Sequence, residues 1–150
     1  MEESLSFFKE AFRLHDADAG MYSPLVLAYV GDAVYEIMVR TKVVNERNAQ
    51  VNKLHKKTAG LVKASAQAQM IMALEGELTE EEHAVYKRGR NAKSASMAKN
   101  ATMKDYRMAT GFEALVGYLY LSEQYRRLAE LVSLGLEKIG AFAEENENEI

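Results

Sequence analysis

Residues 27–36 read LAYVGDAVYE, an apolar stretch with a single carboxylate, Asp32, in its middle. The stretch belongs to a longer apolar segment, residues 25–44, which is preceded by Ser23 and Pro24, a capping residue and a proline suited to the first helical position. Because the segment is apolar nearly all round, it predicts a central, buried helix. A buried carboxylate without a partner is very costly, so Asp32 needs a base, a hydrogen-bond donor or a metal ion.

A second carboxylate also lies within an apolar segment. Residues 110–121 read TGFEALVGYLYL, which predicts an apolar helix with Glu113 in its middle. Gly31 precedes Asp32, and Gly117 follows Glu113 by one turn. Glycine inside a helix costs about 0.5–1 kcal/mol relative to alanine, which indicates a packing reason such as a close crossing of two helices. A crossing there would bring the two carboxylates together, where they need a shared proton or cation. Mg²⁺ suits such oxygen ligands.

Ordinary ion pairs are the alternative for these acids, and the charge pattern alone favours them. The candidate bases are Arg40 and Lys42 for Asp32, and Arg107 and Lys104 for Glu113. Glu36 lies one turn after Asp32 on the same face, so it is a possible third metal ligand. An ion pair between Glu36 and Arg40, four residues further on, is the simpler expectation.

The remaining sequence predicts an all-α fold of about six to seven helices in one domain, residues 1–150, with its core at residues 23–139. Helical spacing recurs along the chain, and there is a single proline. Predicted helices cover residues 3–14, 24–44, 48–74 with a division at Gly60, 79–89 behind a capping box at Thr79, 105–121, and 122–139 with Ser122 as its cap. We predict an exposed loop at residues 90–104 and a disordered tail at residues 141–150.

Composition favours a cytoplasmic protein without membrane segments. The chain has no cysteine, its N-terminus does not resemble a signal peptide, and no apolar run approaches the length of a membrane span. The net charge of −3 argues weakly against nucleic acid as a partner. However, residues 85–107 carry seven bases and one acid, so one basic segment interrupts an otherwise acidic protein.

Two strings resemble the motifs of the ribonuclease III family. LAYVGDAVYE resembles its signature helix, usually ERLEFLGDAVL, and TGFEALVGYLYL resembles its second acidic motif, usually ADxFEAxxGAxYL. Residues 54–68, LHKKTAGLVKASAQA, resemble its third helix, and the resemblance extends over residues 23–139. Asp32 and Glu113 fall on metal-binding acids of the family. Other family acids fall on Leu25, Ala28, Thr110 and the region of residues 51–52, where this chain has none.

The resemblance implies an endonuclease that hydrolyses double-stranded RNA with Mg²⁺ held by Asp32 and Glu113, leaving 5′-phosphate and 3′-hydroxyl ends. The sparse acids, the segment RGRNAKS at residues 88–94 and the expected lack of a separate RNA-binding domain resemble a short subgroup of the family. That subgroup implies a homodimer that matures the 23S ribosomal RNA precursor, with a large-subunit ribosomal protein as a candidate presenting partner. The alternatives are a catalytically weak RNA-binding or ribosome-assembly module of the same fold, and a helical adaptor between proteins.

RNA contacts are expected from two basic clusters, since duplex RNA is bound largely through its phosphates and its shape. The first comprises Lys87, Arg88, Arg90, Asn91, Lys93, Ser94, Lys99 and Lys104, and the second comprises Lys53, Lys56 and Lys57. For both clusters, a solvated surface that binds nothing is the alternative.

Overall fold

The structure, a computed structural model, describes residues 2–93 and 102–142. These residues form seven α-helices and two short 3₁₀ turns, and no strand occurs among them. The helices are α1 (Glu2–Ala11), α2 (Pro24–Glu46), α3 (Val51–Val62), α4 (Ala64–Leu74), α5 (Glu80–Asn91), α6 (Met103–Leu121) and α7 (Tyr125–Lys138). The predicted all-α class is confirmed. No helix in the described ranges has both the length and the apolar character to span a membrane.

Helix α6 forms the centre of the fold, and α2, α4, α5 and α7 pack around it. Nearly every α6 side chain from Met108 to Leu119 is buried, because the segment is apolar on all sides. The expectation that α2 is the central helix was wrong. One face of α2 packs into the core through residues such as Leu27, Tyr35 and Val39, while an apolar face on the other side contacts solvent.

Helices α2 and α6 cross at their glycines with their backbones in direct contact. A Cβ atom built on Gly31 would lie 1.7 Å from the carbonyl oxygen of Glu113, and one built on Gly117 would lie 2.0 Å from that of Leu27. Both distances are far below van der Waals contact, so no larger residue fits at either position. The structure therefore contains the helix crossing that the two glycines predicted.

Two predicted caps are present at the start of helices. The Val26 amide donates to Ser23 Oγ at 3.4 Å, and Pro24 is the first residue of α2. At the start of α5, Thr79 and Glu82 form a reciprocal capping box, with distances of 3.1 and 2.9 Å. These local hydrogen bonds satisfy amide groups that have no acceptor within the helix.

The break between α3 and α4 falls at Lys63 and not at Gly60, which lies inside α3 with open space around it. The reason lies in side chains of neighbouring helices, which accommodate the exposed carbonyl groups at the end of α3. The Tyr35 hydroxyl donates to the carbonyl of Leu61 at 2.8 Å, and the Gln67 amide donates to that of Val62 at 2.7 Å. A helix can end without glycine where such donors are available.

Helix α5 ends at Asn91, two residues beyond the predicted end near Gly89. Gly89 is a helix contact and not a C-cap, because a Cβ atom there would lie 2.7 Å from the Cβ of Ala114 on α6. As α6 begins at Met103, the predicted loop at residues 90–104 is helical at both of its ends. Its middle, residues 94–101, lies outside the described residues.

The start of α7 also differs from the prediction, because Ser122 closes α6 and does not open α7. Its hydroxyl donates to the carbonyl of Tyr118 at 2.6 Å, and α7 begins only at Tyr125. Ala141 is buried in the core, and the predicted disordered tail lies outside the described residues from residue 143 on.

Candidate active site

Asp32 on α2 and Glu113 on α6 meet at the glycine crossing, and their carboxyl groups are in hydrogen-bonding contact. Asp32 is exposed, whereas Glu113 is half-buried. The contact follows directly from the close approach of the backbones, because the carbonyl group of Glu113 itself lies against Gly31. The structure thus brings together two acids that are 81 residues apart in the chain.

The environment of Glu113 strongly favours its neutral form. Burial has the largest effect, and together with a hydrogen bond to Asp32 and the charge of Asp32 it raises the pKa of the Glu113 carboxyl from 4.5 to about 8. A hydrogen bond from the Gln67 amide acts in the opposite direction and lowers the pKa. Near neutral pH the pair therefore holds a proton that a bound cation would displace.

The ion pairs that the charge pattern favoured do not involve these two acids. Arg40 pairs with Glu36 at 3.0 Å, as expected for that residue, and Lys42 pairs with Glu46. Within residues 2–93 and 102–142, no ion pair joins a base to Asp32 or Glu113. The pair is thus a carboxylate site without a basic partner in the described part of the chain.

The donor set of this site fits a hard divalent cation with an incomplete protein shell. No cluster of three or more histidine, aspartate or glutamate side chains suited to a metal occurs among the described residues. Glu36 is turned toward Arg40, which leaves Asp32 and Glu113 as the two oxygen donors. Mg²⁺ is commonly held by one or two carboxylates, with water and substrate phosphate as its other ligands.

Gln67 contacts Glu113 from α4 and was not among the predicted site residues. A signal was present in the sequence, since Gln67 lies three, four and seven residues before Met70, Ile71 and Leu74. A polar residue in an apolar stripe of that spacing is expected to be buried and to have a specific hydrogen-bonding role.

The first basic cluster lies where α5 ends and α6 begins. Lys87, Arg88, Asn91 and Lys93 are exposed around the last turn of α5, and Lys104 is exposed in the first turn of α6. Arg90 is half-buried, with its guanidinium 5.6 Å from the centre of the Tyr86 ring. A cavity of about 600 Å³ is lined by three members of this cluster, Arg90, Asn91 and Lys104, and also by Arg107. Ser94 and Lys99 lie outside the described residues.

The second basic cluster lies on α3. Lys53 and Lys56 are exposed, whereas Lys57 is half-buried and pairs with Glu46 at 2.7 Å. Lys57 is therefore partly neutralised within the protein. Lys53 and Lys56 are the members of this cluster whose surroundings suit a phosphate contact.

Comparison with known proteins identifies the class to which this helical fold and acidic pair belong. The family model described as the ribonuclease III domain matches residues 25–124. A crystal structure of a protein from Fusobacterium nucleatum has the same fold, with a TM-score of 0.73 and 26% identity over 81% of this chain and 98% of that one.

Curated relatives place the chain more narrowly. A Mini-ribonuclease 3 from Clostridium tetani is 51% identical over 88% of this chain and 86% of its own length. One from Thermoanaerobacter is 45% identical over 93% of this chain and 99% of its own, and one from Enterococcus faecalis is 52% identical over 77% and 89%. The chain belongs to the ribonuclease III family, within its Mini-ribonuclease 3 group, which is the short subgroup that the sequence resembled.

Family membership makes the chain an endoribonuclease of the ribonuclease III type. Ribonuclease III domains generally depend on a divalent metal ion and act on double-stranded RNA. The family match thus disfavours the adaptor alternative, and the relatives named Mini-ribonuclease 3 favour an enzyme over a binding module of the same fold.

Proposed function

We propose that this protein hydrolyses double-stranded RNA with Mg²⁺ held between Asp32 and Glu113. The observation that carries the proposal is the meeting of these two carboxylates, from distant parts of the chain, with no base in the described residues to neutralise them. Such a pair is stable in its charged form only when a cation joins it.

A bound Mg²⁺ would supply Lewis-acid polarisation of the scissile phosphate and lower the pKa of an attacking water. The chain's own contribution is geometric. The contact between Gly31 and the Glu113 carbonyl fixes the separation of α2 and α6, and with it the separation of the two carboxylates. Because water is the nucleophile, no nucleophilic side chain is required, and we expect 5′-phosphate and 3′-hydroxyl products.

RNA would bind to the body of the protein through the basic residues at the junction of α5 and α6, together with Lys53 and Lys56. Lys87, Arg88 and Lys93 are exposed and close in sequence, which suits them to successive phosphates. The deep, narrow major groove of duplex RNA favours recognition by shape and backbone, so a basic surface is sufficient for binding.

We propose a homodimer joined along the exposed face of α2. Tyr29, Ile37 and Val44 are 81%, 60% and 56% exposed, which is unusual for large apolar side chains on a helix that also contributes to the core. Val26, Ile37 and Val44 lie 11 and 7 residues apart, close to whole numbers of helical turns. A two-fold axis would pair this face with itself and place one active site on each RNA strand.

We further propose the 23S ribosomal RNA precursor as the substrate, with a large-subunit ribosomal protein as a possible presenting partner, in the cytoplasm. This part of the proposal follows from the resemblance of the sequence to the short subgroup of the family, and the exposed basic residues are compatible with an RNA substrate.

One gel tests the central reaction. The purified protein is incubated with an end-labelled RNA duplex and with the corresponding single strand, in Mg²⁺ or in EDTA. We expect cleavage of the duplex in Mg²⁺ only, and loss of cleavage but not of binding in Asp32→Asn. Undiminished cleavage in EDTA, or by Asp32→Asn, would refute the proposal. A 5′-phosphate-dependent exonuclease then identifies the product ends.

A further inference from the structure

Gln67 is an amide in a place that suits an apolar side chain. Only 3% of its surface is exposed, and it shares a helical stripe with the buried residues Met70, Ile71 and Leu74 of α4. Leucine or methionine would fill this position without any requirement for hydrogen bonds. A buried amide, in contrast, is favourable only when its polar atoms have partners.

Of the two polar atoms of the Gln67 side chain, the nitrogen has hydrogen-bond partners and the oxygen has none. Its Nε2 donates to the carbonyl oxygen of Val62 at 2.7 Å, and the same amide hydrogen-bonds the carboxyl group of Glu113. A carbonyl oxygen can only accept a hydrogen bond, so the NH₂ group must face Val62, and this fixes the orientation of the amide. Oε1 then points elsewhere, where it is buried and has no hydrogen-bond partner.

We propose that Gln67 is a positioning residue for the cleavage reaction, holding the Glu113 carboxylate in the orientation in which it meets Asp32. The inference rests on the proposed function, because it assigns Gln67 a role only if Glu113 is a metal ligand. The unsatisfied Oε1 supports it, since a residue selected for packing alone would not leave a buried acceptor without a partner.

A purely structural role is the competing explanation, and Tyr35 provides the comparison. The Tyr35 hydroxyl donates to the carbonyl of Leu61 at 2.8 Å, just as Gln67 donates to that of Val62. Both residues are buried, and both satisfy carbonyl groups at the end of α3. Only Gln67 adds a hydrogen bond to Glu113. A change at Gln67 should therefore affect metal binding, whereas a change at Tyr35 should affect stability alone.

The test measures Mn²⁺ binding by the full chain without RNA, by electron paramagnetic resonance of free Mn²⁺, together with kcat and KM on an RNA duplex. The variant is Gln67→Met, which keeps the volume and removes the amide. Tyr35→Phe is the matched control at the end of α3, and Gln69→Met is the control on the exposed face of α4. Thermal unfolding of each variant establishes that it is folded.

We expect Gln67→Met to weaken Mn²⁺ binding and lower kcat by roughly 10–100-fold, the range typical for residues that orient a metal ligand, with KM unchanged. Tyr35→Phe should unfold at a lower temperature but bind Mn²⁺ as the wild type does, and Gln69→Met should change neither. If Gln67→Met does not fold, Gln67→Asn serves instead, because its shorter side chain cannot reach both acceptors.

Wild-type Mn²⁺ affinity and kcat in a folded Gln67 variant would overturn the inference, and so would an equal loss of affinity in Tyr35→Phe. Failure of the proposed function gives a different result. In that case Asp32→Asn, measured alongside, would itself bind Mn²⁺ like the wild type, and both proposals would fall together.

Discussion

Replacing Glu113 by glutamine should stabilise the metal-free protein at alkaline pH while abolishing cleavage. In the folded state burial and Asp32 raise the pKa of Glu113 to about 8, whereas the unfolded chain releases this proton near 4.5. The stability contributed by the protonated group is therefore complete below pH 4.5 and is lost as the pH rises through 8. Glutamine keeps the neutral shape at every pH, so the variant avoids this loss.

The magnitude follows from the two pKa values. A pKa difference of about 3.5 corresponds to about 5 kcal/mol if it is fully effective. Because part of the Glu113 side chain contacts solvent, we expect about half of this, ~2 kcal/mol, between pH 5 and pH 8.5.

The assay is urea unfolding in EDTA at these two pH values, for the wild type and for Glu113→Gln. Titration of other groups affects both proteins equally, so it cancels in the difference between their free energies of unfolding. The stability of Glu113→Gln relative to the wild type should rise by ~2 kcal/mol from pH 5 to pH 8.5. Identical differences at the two pH values would show that Glu113 ionises normally, and the reasoning about the acidic pair would be refuted.

Four further predictions concern the glycine crossing, the metal site, the basic surface and the proposed dimer interface. Gly31→Ala should destabilise the fold by about 3 kcal/mol or more in the same urea assay, because its Cβ would lie 1.7 Å from a backbone oxygen. Gly60 has open space around it, so Gly60→Ala should stabilise the fold by about 0.5–1 kcal/mol. At pH 8.5, Mg²⁺ at 100 times its Kd should stabilise the wild type by about 2.7 kcal/mol but leave Asp32→Asn unchanged, as measured by thermal unfolding. Arg88→Ala should reduce the salt dependence of duplex RNA binding by about one in the log–log slope, as measured by filter binding. Ile37→Asp should convert the dimer to a monomer in sedimentation velocity, and a wild-type chain that is already monomeric would contradict the proposed interface.

Local sequence signals predicted those features of the fold that depend on near neighbours in the chain. Ser23 and Thr79 cap the helices that their positions indicated, because these hydrogen bonds close within three residues. The crossing of α2 and α6 was also predictable, since Gly31 and Gly117 stand beside the acids in two otherwise apolar helices. Glycine in such a place has few explanations other than close backbone contact.

Features that depend on which element covers which surface were not predictable. In a sequence, a glycine at a helix end cannot be distinguished from a glycine at a contact between helices. Gly89 therefore predicted a helix end, whereas in the structure it is the point at which α6 packs against α5. Apolar residues all round α2 are compatible with a buried central helix and equally with a helix that has an exposed apolar face. The end of α3 depends on donors from Tyr35 and Gln67, which periodicity cannot reveal.

The most direct test of the acidic pair is to locate a divalent cation in crystals of the full chain. Crystals at pH 8 are soaked in MnCl₂, and diffraction is recorded near the manganese edge. We expect an anomalous difference peak between the carboxylates of Asp32 and Glu113, about 2 Å from an oxygen of each. Ordered carboxylates with no peak between them, or a peak at a different set of ligands, would contradict it.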